Sequence, residues 1–346
     1  MMKTRNLIIL AAVVVLLGVV SQWQRCSHER DTSKAASAVV VAGEFTRDTL
    51  SRVAIGYGDE DDAVALAKQP QGWVVETAWD APADDQKIDN LLKDLSDLSG
   101  EFRSDSADVL ADYGLTDDAA LRIRGFDADG QELLSVDVGK KSERGRGDFV
   151  RVPGQNAVYL SQKSILNQLG IYGDPEAPAS KHFIALQAVR EDRQDIDRLV
   201  LRDGKETLDL VKEFGMTQPA ADDTTGAEPT IDRGTWEWKL SGRDDVVLTK
   251  TKVDGVLGAA VSIRATDVAD PAADPATYGL DAPTRSVTLM RADGSELVVE
   301  FGSDRAAGEN QTAGTWMRIA GEPEVWLATD YTVRNIFKKL SDLVPE

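Results

Sequence analysis

Cysteine and histidine are almost missing from this chain of 346 residues: Cys26 is the one cysteine, and His28 and His182 are the two histidines. An intramolecular disulfide is therefore excluded, and the fold has to be held by its cores. A cysteine–histidine zinc site needs several such ligands close together, which this inventory does not offer. A serine–histidine–aspartate triad would have to use His182 in mid-chain. Neither a Walker phosphate loop nor a dinucleotide-binding glycine pattern is present. Positive charge is short as well. With 39 basic against 59 acidic residues the net charge is −20. Such a surface repels nucleic-acid phosphates and disfavours binding that tracks a phosphate backbone. The mean hydropathy of −0.28 and a 42% hydrophobic content leave ample material for packed cores in a mostly soluble chain.

Long apolar runs are also scarce, with one exception at the start. Leu7 to Val20 reads LIILAAVVVLLGVV, after Lys3 and Arg5 and before Trp23. Residues 1–34 carry a local balance of +3, so the remainder carries −23. As a helix at ~1.5 Å per residue, Asn6–Trp23 would span roughly 27 Å, close to a bilayer core, with the indole at the interface. The following Ser21-Gln22-Trp23-Gln24-Arg25 lacks the small-x-small pattern of a cleavage site, and Trp23, Gln24 and Arg25 do not make a lipobox before Cys26. The expectation is an uncleaved N-terminal transmembrane helix over residues 1–26 and a tether over 27–44. The N-terminus is expected to be cytoplasmic and the body on the far side.

What the chain has in abundance is internal similarity. Lys87-Ile88-Asp89-Asn90-Leu91-Leu92 returns as Lys252-Val253-Asp254-Gly255-Val256-Leu257. Tyr113-Gly114-Leu115 returns as Tyr278-Gly279-Leu280, and the turn glycine Gly130 as Gly294. Phe149-Val150-Arg151 returns as Trp316-Met317-Arg318, and Val158-Tyr159-Leu160 as Val325-Trp326-Leu327. This ordered set predicts a duplicated module, with module 1 at 45–172, a linker at 173–190 and module 2 at 191–346.

Each module reads as strands around one helix. Ile88, Leu91, Leu92, Leu95 and Leu98 make one helical face, with Asp84, Asp85, Lys87, Asp89, Lys93 and Asp94 opposite. Runs at 52–55, 63–66, 73–75, 120–126, 133–138, 148–152 and 157–160 read as strands, and Asp127–Gly130 as a hairpin turn. In the second copy Arg198–Leu201 matches Arg52–Ile55, and Trp236 matches Trp73. An insertion over Phe214–Arg233 reads as a mobile loop. The fold class expected is α+β: the N-terminal transmembrane helix, then two mostly antiparallel β modules, each with an amphipathic helix.

No residue is assigned a catalytic, cofactor-binding or metal-binding role. Asp127-Ala128-Asp129-Gly130 resembles the start of a calcium loop, but the second copy has Arg291-Ala292-Asp293-Gly294, so only the turn is kept. The acidic run Asp59–Asp62 reads as a solvated loop. The repeated aromatics read mostly as core, with a ligand groove as the alternative.

Taken together, the basic and apolar N-terminus, the Gly-Trp strand, the Lys-x-Asp-x-x-Leu helix, Tyr-Gly-Leu, the elements Val138-Gly139 and Phe301-Gly302, and the Val-Tyr-Leu strand resemble the domain of unknown function 4340 family. Thr116-Asp117-Asp118 departs from the pattern, whereas Asp281-Ala282-Pro283 keeps it. The resemblance implies a bacterial inner-membrane, single-pass, extracytoplasmic accessory subunit beside an ABC-type permease and ATPase, without catalysis or cofactor. The alternatives are a cell-envelope structural or polymer-binding module and a carboxylate-dependent hydrolase.

Overall fold

The computed structural model describes residues 38–39, 45–143, 146–217, 230–308 and 311–345. The expected membrane span over residues 7–20 lies outside them. Among the described residues no helix is long and apolar enough to cross a membrane. The chain divides into two compact units, Met1–Thr77 with Asp85–Phe183, and Ala78–Asp84 with Ile184–Glu346.

The first unit contributes the strands β1 (Ala38–Val39), β2 (Arg52–Tyr57), β3 (Glu60–Gln69), β4 (Gly72–Val75), β5 (Ser99–Ser104), β6 (Leu121–Phe126), β7 (Glu132–Lys141), β8 (Asp148–Arg151) and β9 (Val158–Ser161). They run in the order β1-β5-β9-β8-β7-β6-β2-β3-β4. The second unit contributes β10 (Gln187–Arg190), β11 (Ile196–Asp203), β12 (Glu206–Thr217), β13 (Thr230–Leu240), β14 (Ser262–Ala269), β15 (Arg285–Arg291), β16 (Glu296–Arg305), β17 (Gly314–Ile319) and β18 (Val325–Ala328). Their order is β10-β14-β18-β17-β16-β15-β11-β12-β13, the same pattern nine strands on, and the pairings are antiparallel.

Strands make up 44% of the structure and helices 18%, so the class is mostly β, which corrects the α+β expectation. The reason is that, among the described residues, each unit has one helix of more than two turns, α1 (Asp85–Ser96) and α3 (Lys250–Ala260). The shorter helices α2 (Ile165–Gln168), α4 (Asp330–Ile336) and α5 (Leu340–Leu343) only close the modules. The expected apolar face of α1 is the buried one: Ile88, Leu91 and Leu95 have no exposed surface, and neither does Leu98 just past the helix.

Two other expectations change. Glu60 and Asp62 of the acidic run enter β3, where Asp62 pairs with Arg52 at 2.9 Å, so the run is not simply a solvated loop. The segment expected as a mobile loop begins and ends as a β arm, with Gly215 opposite Asp232, Met216 opposite Ile231 and Thr217 opposite Thr230. Residues 218–229 lie outside the described residues. Just inside the arm, Phe214 faces Trp236 and the next pair is Gly215–Asp232, so Arg233, Gly234 and Thr235 bulge out of the ladder. The Asp232 carboxylate holds the bulge by accepting from Gly234 N at 2.9 Å and from Thr235 Oγ1 at 2.7 Å. The register also corrects one match: Lys68 faces Trp73 and Lys212 faces Trp238, so Trp238 is the counterpart of Trp73.

Candidate functional site

The repeated motifs meet one another in space, and what they form is a fold clamp. Gly114 and Gly279 both have φ of 65°, which suits glycine. Each lets the next leucine amide turn back, Leu115 N to Leu110 O and Leu280 N to Pro275 O, both at 2.9 Å. Against these turns lie Gly139 and Gly302. A Cβ on either would sit 2.2 Å from Tyr113 O or 2.0 Å from Tyr278 O, so only glycine fits. The tyrosines then pack at an angle against the aromatic of the aromatic-x-Arg strand, Tyr113 on Phe149 at 4.4 Å and Tyr278 on Trp316 at 5.2 Å between ring centres. The arginines of those strands reach back to β7 and β16, Arg151 to Asp137 at 2.9 Å and Arg318 to Glu300 at 2.7 Å. The repeated lysines cap the module ends, Lys87 on His182 O and Lys252 on Val344 O.

The acids are similarly committed. Asp127 Oδ1 accepts the Asp129 and Gln131 amides at 3.0 and 2.8 Å, so it closes its turn. Buried Asp137 takes both Arg122 and Arg151. Buried Asp148 caps α2 through Leu166 N at 2.9 Å and Ser164 Oγ at 3.1 Å, and desolvation raises its pKa. His182 Nε2 lies 3.0 Å from Gln168 O and its ring packs on Phe183. Among the described residues no group of three or more His, Cys, Asp or Glu is placed to hold a metal.

The candidate site is a cavity of about 720 Å³ in the second unit, between the β10–β11 turn, α3 and Trp236 of β13. Trp236, Leu257 and Val261 give its apolar wall; Arg190, Arg193, Gln194 and Ser262 are among its polar groups. The turn that carries Arg193 is pinned at several points. Glu191 N donates to Val261 O at 2.8 Å, and Arg291 grips the Glu191 carboxylate at 2.8 and 2.9 Å. That arginine holds the Glu191 pKa below the usual carboxylate range. Asp192 accepts from Gln194 N at 2.8 Å, and Ala292 N donates to Asp195 O at 3.0 Å.

Lys212 does not line the cavity but supports it from behind. It is 4% exposed, its ammonium donates to Arg193 O at 2.6 Å, and it lies 4.6 and 5.8 Å from the Trp236 and Trp238 ring centres. Desolvation lowers its pKa. Lys250 stands on Trp236 at 3.4 Å and pairs with Asp254 at 3.2 Å, while Trp238 Nε1 donates to the same carboxylate at 2.7 Å. The indole N–H of Trp236 is buried and has no acceptor among the described residues. Trp236 was singled out in the sequence as a repeated aromatic. Lys212 and Arg193 were not, because nothing in their local pattern differs from an ordinary strand or turn residue.

A second cavity, of about 530 Å³ in the first unit, contains Tyr113, Phe149, Arg103, Lys140 and Lys141. There Arg103 is paired with Glu101, Lys140 with Asp112 O and Lys141 with Asn167.

No curated protein and no solved structure matches the chain. A family model does: the match covers residues 73–232, from β4 in the first unit to β13 in the second, and its description is Domain of unknown function (DUF4340). Over that segment, and in agreement with its ordered motifs, the chain matches the DUF4340 family.

Proposed function

We propose that this protein is a membrane-associated, extracytoplasmic accessory subunit of an ABC-type transport system, and that it works by binding rather than by catalysis. The observation that carries the reading is how the polar groups are used. The repeated motif residues are committed to holding the sheets, and the cavity of the second unit combines an indole wall with hydrogen-bond donors on a pinned turn. That is the composition of a recognition site. The apolar run at 7–20 supports a place at the membrane, and the family resemblance supports the transporter setting.

The polymer-binding alternative draws on repeated aromatics at an exposed face, yet Trp73, Tyr278 and Trp326 are only 3, 8 and 4% exposed. The hydrolase alternative draws on two acids converging in a cleft. Asp148, whose pKa burial raises, is instead the cap of α2.

The test is affinity purification of the tagged full chain from its native membrane in mild detergent. A permease and an ATPase are expected in stoichiometric amounts, and a partner-free protein overturns the reading.

A further inference from the structure

The two units carry the same arginine in different company. Arg47 stands five residues before Arg52 of β2, and Arg193 five residues before Arg198 of β11. Each arginine lies over the amphipathic helix of its own unit. In the first unit the Arg47 guanidinium spans two carboxylates one helical turn apart, Asp85 at 3.1 Å and Asp89 at 2.9 Å. The motif lysines Lys87 and Lys252 set the helix alignment, so the counterparts of Asp85 and Asp89 are Lys250 and Asp254. One carboxylate has become a cation. The other is already held by that cation and by Trp238 Nε1. Arg193 is therefore left with no carboxylate partner among the described residues.

The arginine has nevertheless been given a place. Its guanidinium lies on the helix at Gly258, where an added Cβ would come 2.3 Å from Nη2. The counterpart of Gly258 in α1 is Lys93. Lys212, buried, ties the Arg193 carbonyl, so the backbone behind the guanidinium is fixed. The cavity's hydrogen-bonding capacity is then one-sided. Two of its carboxylates are paired with cations, Glu191 with Arg291 and Asp254 with Lys250, while exposed Asp192 accepts the Gln194 amide through one oxygen. Its donors are less committed: exposed Arg193 and Arg190 form no ion pair among the described residues, and the buried Trp236 N–H has no acceptor there.

We propose that this cavity binds a small molecule bearing an oxyanion, a carboxylate or phosphate group, with Arg193 as the principal donor and Arg190 and Trp236 Nε1 beside it. The planar guanidinium fork matches both groups, and Leu257, Val261 and Trp236 take the apolar part. The first unit lacks such a site because Asp85 and Asp89 already occupy the arginine. The inference deepens the binding reading above but does not depend on which complex the protein joins.

Calorimetric titration of the full chain with citrate and with inorganic phosphate, against chloride at equal ionic strength, tests it. Saturable binding of at least one probe is expected, and the stronger of the two identifies the group. Arg193→Ala is expected to weaken binding by about tenfold or more. Arg193→Lys, which keeps the charge and loses the fork, should weaken it by less, and Arg47→Ala should leave it unchanged. Circular dichroism checks that each variant is folded. No saturable binding of either probe, or equal affinity in Arg193→Ala and wild type, overturns the proposal. Binding retained in a protein that captures no permease would leave the oxyanion site standing and overturn only the transporter reading.

Discussion

At the scale of the residue, the sharpest constraints are at Gly139 and Gly302, where the neighbouring carbonyl leaves no room for a side chain. Gly139→Ala or Gly302→Ala should destabilise the protein by about 1–3 kcal/mol, since backbone rather than a flexible side chain must yield. Gly173→Ala, with nothing within 4 Å of the added atom, is the control and should be near neutral in urea unfolding. Lys212 makes a prediction about pH. Its folded pKa lies below that of the unfolded chain, so the unfolded state binds more protons between the two values. Stability from this group should therefore rise as pH climbs through the lowered pKa toward about 10.4, the ordinary lysine value. Lys212→Met should flatten that alkaline rise, as read from denaturation midpoints across the range. The clamp glycines were legible in the sequence because they recur in the same order in both copies. Arg193 was not, because its meaning lies in what it lacks. That becomes visible only when Arg47 is seen spanning Asp85 and Asp89, contacts about 40 residues distant in the chain.

At the scale of the element, α3 is the weaker of the two long helices, and its glycines differ. Gly255 is exposed with nothing within 4 Å of an added Cβ, so Gly255→Ala should stabilise the protein by about 0.5–1 kcal/mol. Gly258→Ala should not give this gain, because the Arg193 guanidinium occupies the space. Thermal unfolding of the two variants side by side separates these outcomes. The pairing of β11 with β12 supplies an acid-side prediction. Arg198 grips Asp209 at 2.6 and 2.5 Å and lowers the carboxylate's pKa. A lowered folded pKa gives stability that is present above the unfolded value and lost as pH falls through the folded one. Arg198→Ala should thus destabilise at neutral pH, by no more than about 1 kcal/mol for so exposed a pair, and the difference should vanish in strong acid. The helices and central strands were readable from periodicity. Strands β5 and β14 were missed, since Ser99–Ser104 is mostly polar and only Gly100 is buried. Position in the sheet makes that stretch a strand, and periodicity carries no sign of it. The Trp236 match failed because two tryptophans stand two residues apart on β13; Trp238 lies 14 residues before Lys252, as Trp73 lies 14 before Lys87, and the Lys212–Trp238 register agrees.

At the scale of the whole molecule, a net charge of −20 means that the compact state works against its own repulsion. Raising the ionic strength from about 0.01 to about 0.15 M shortens the Debye length from about 30 to about 8 Å and should raise Tm by a few degrees. A Tm that falls with salt would show that specific ion pairs, such as Asp137 with Arg122 and Arg151, outweigh the general repulsion. The duplicated order of strands was foreshadowed by the ordered motifs, whereas the preponderance of sheet over helix was not. Among the described residues the second sheet ends at β13, and an end strand offers unpaired peptide groups to any passing extended chain. The carboxylate of Asp232, by drawing Gly234 and Thr235 out of line, breaks that offer partway along. An incoming strand could match the outer part or the inner part of β13 but not run through both. The bulge therefore acts as a stop against fibril growth at a sheet edge, the place where a β protein is most prone to aggregate.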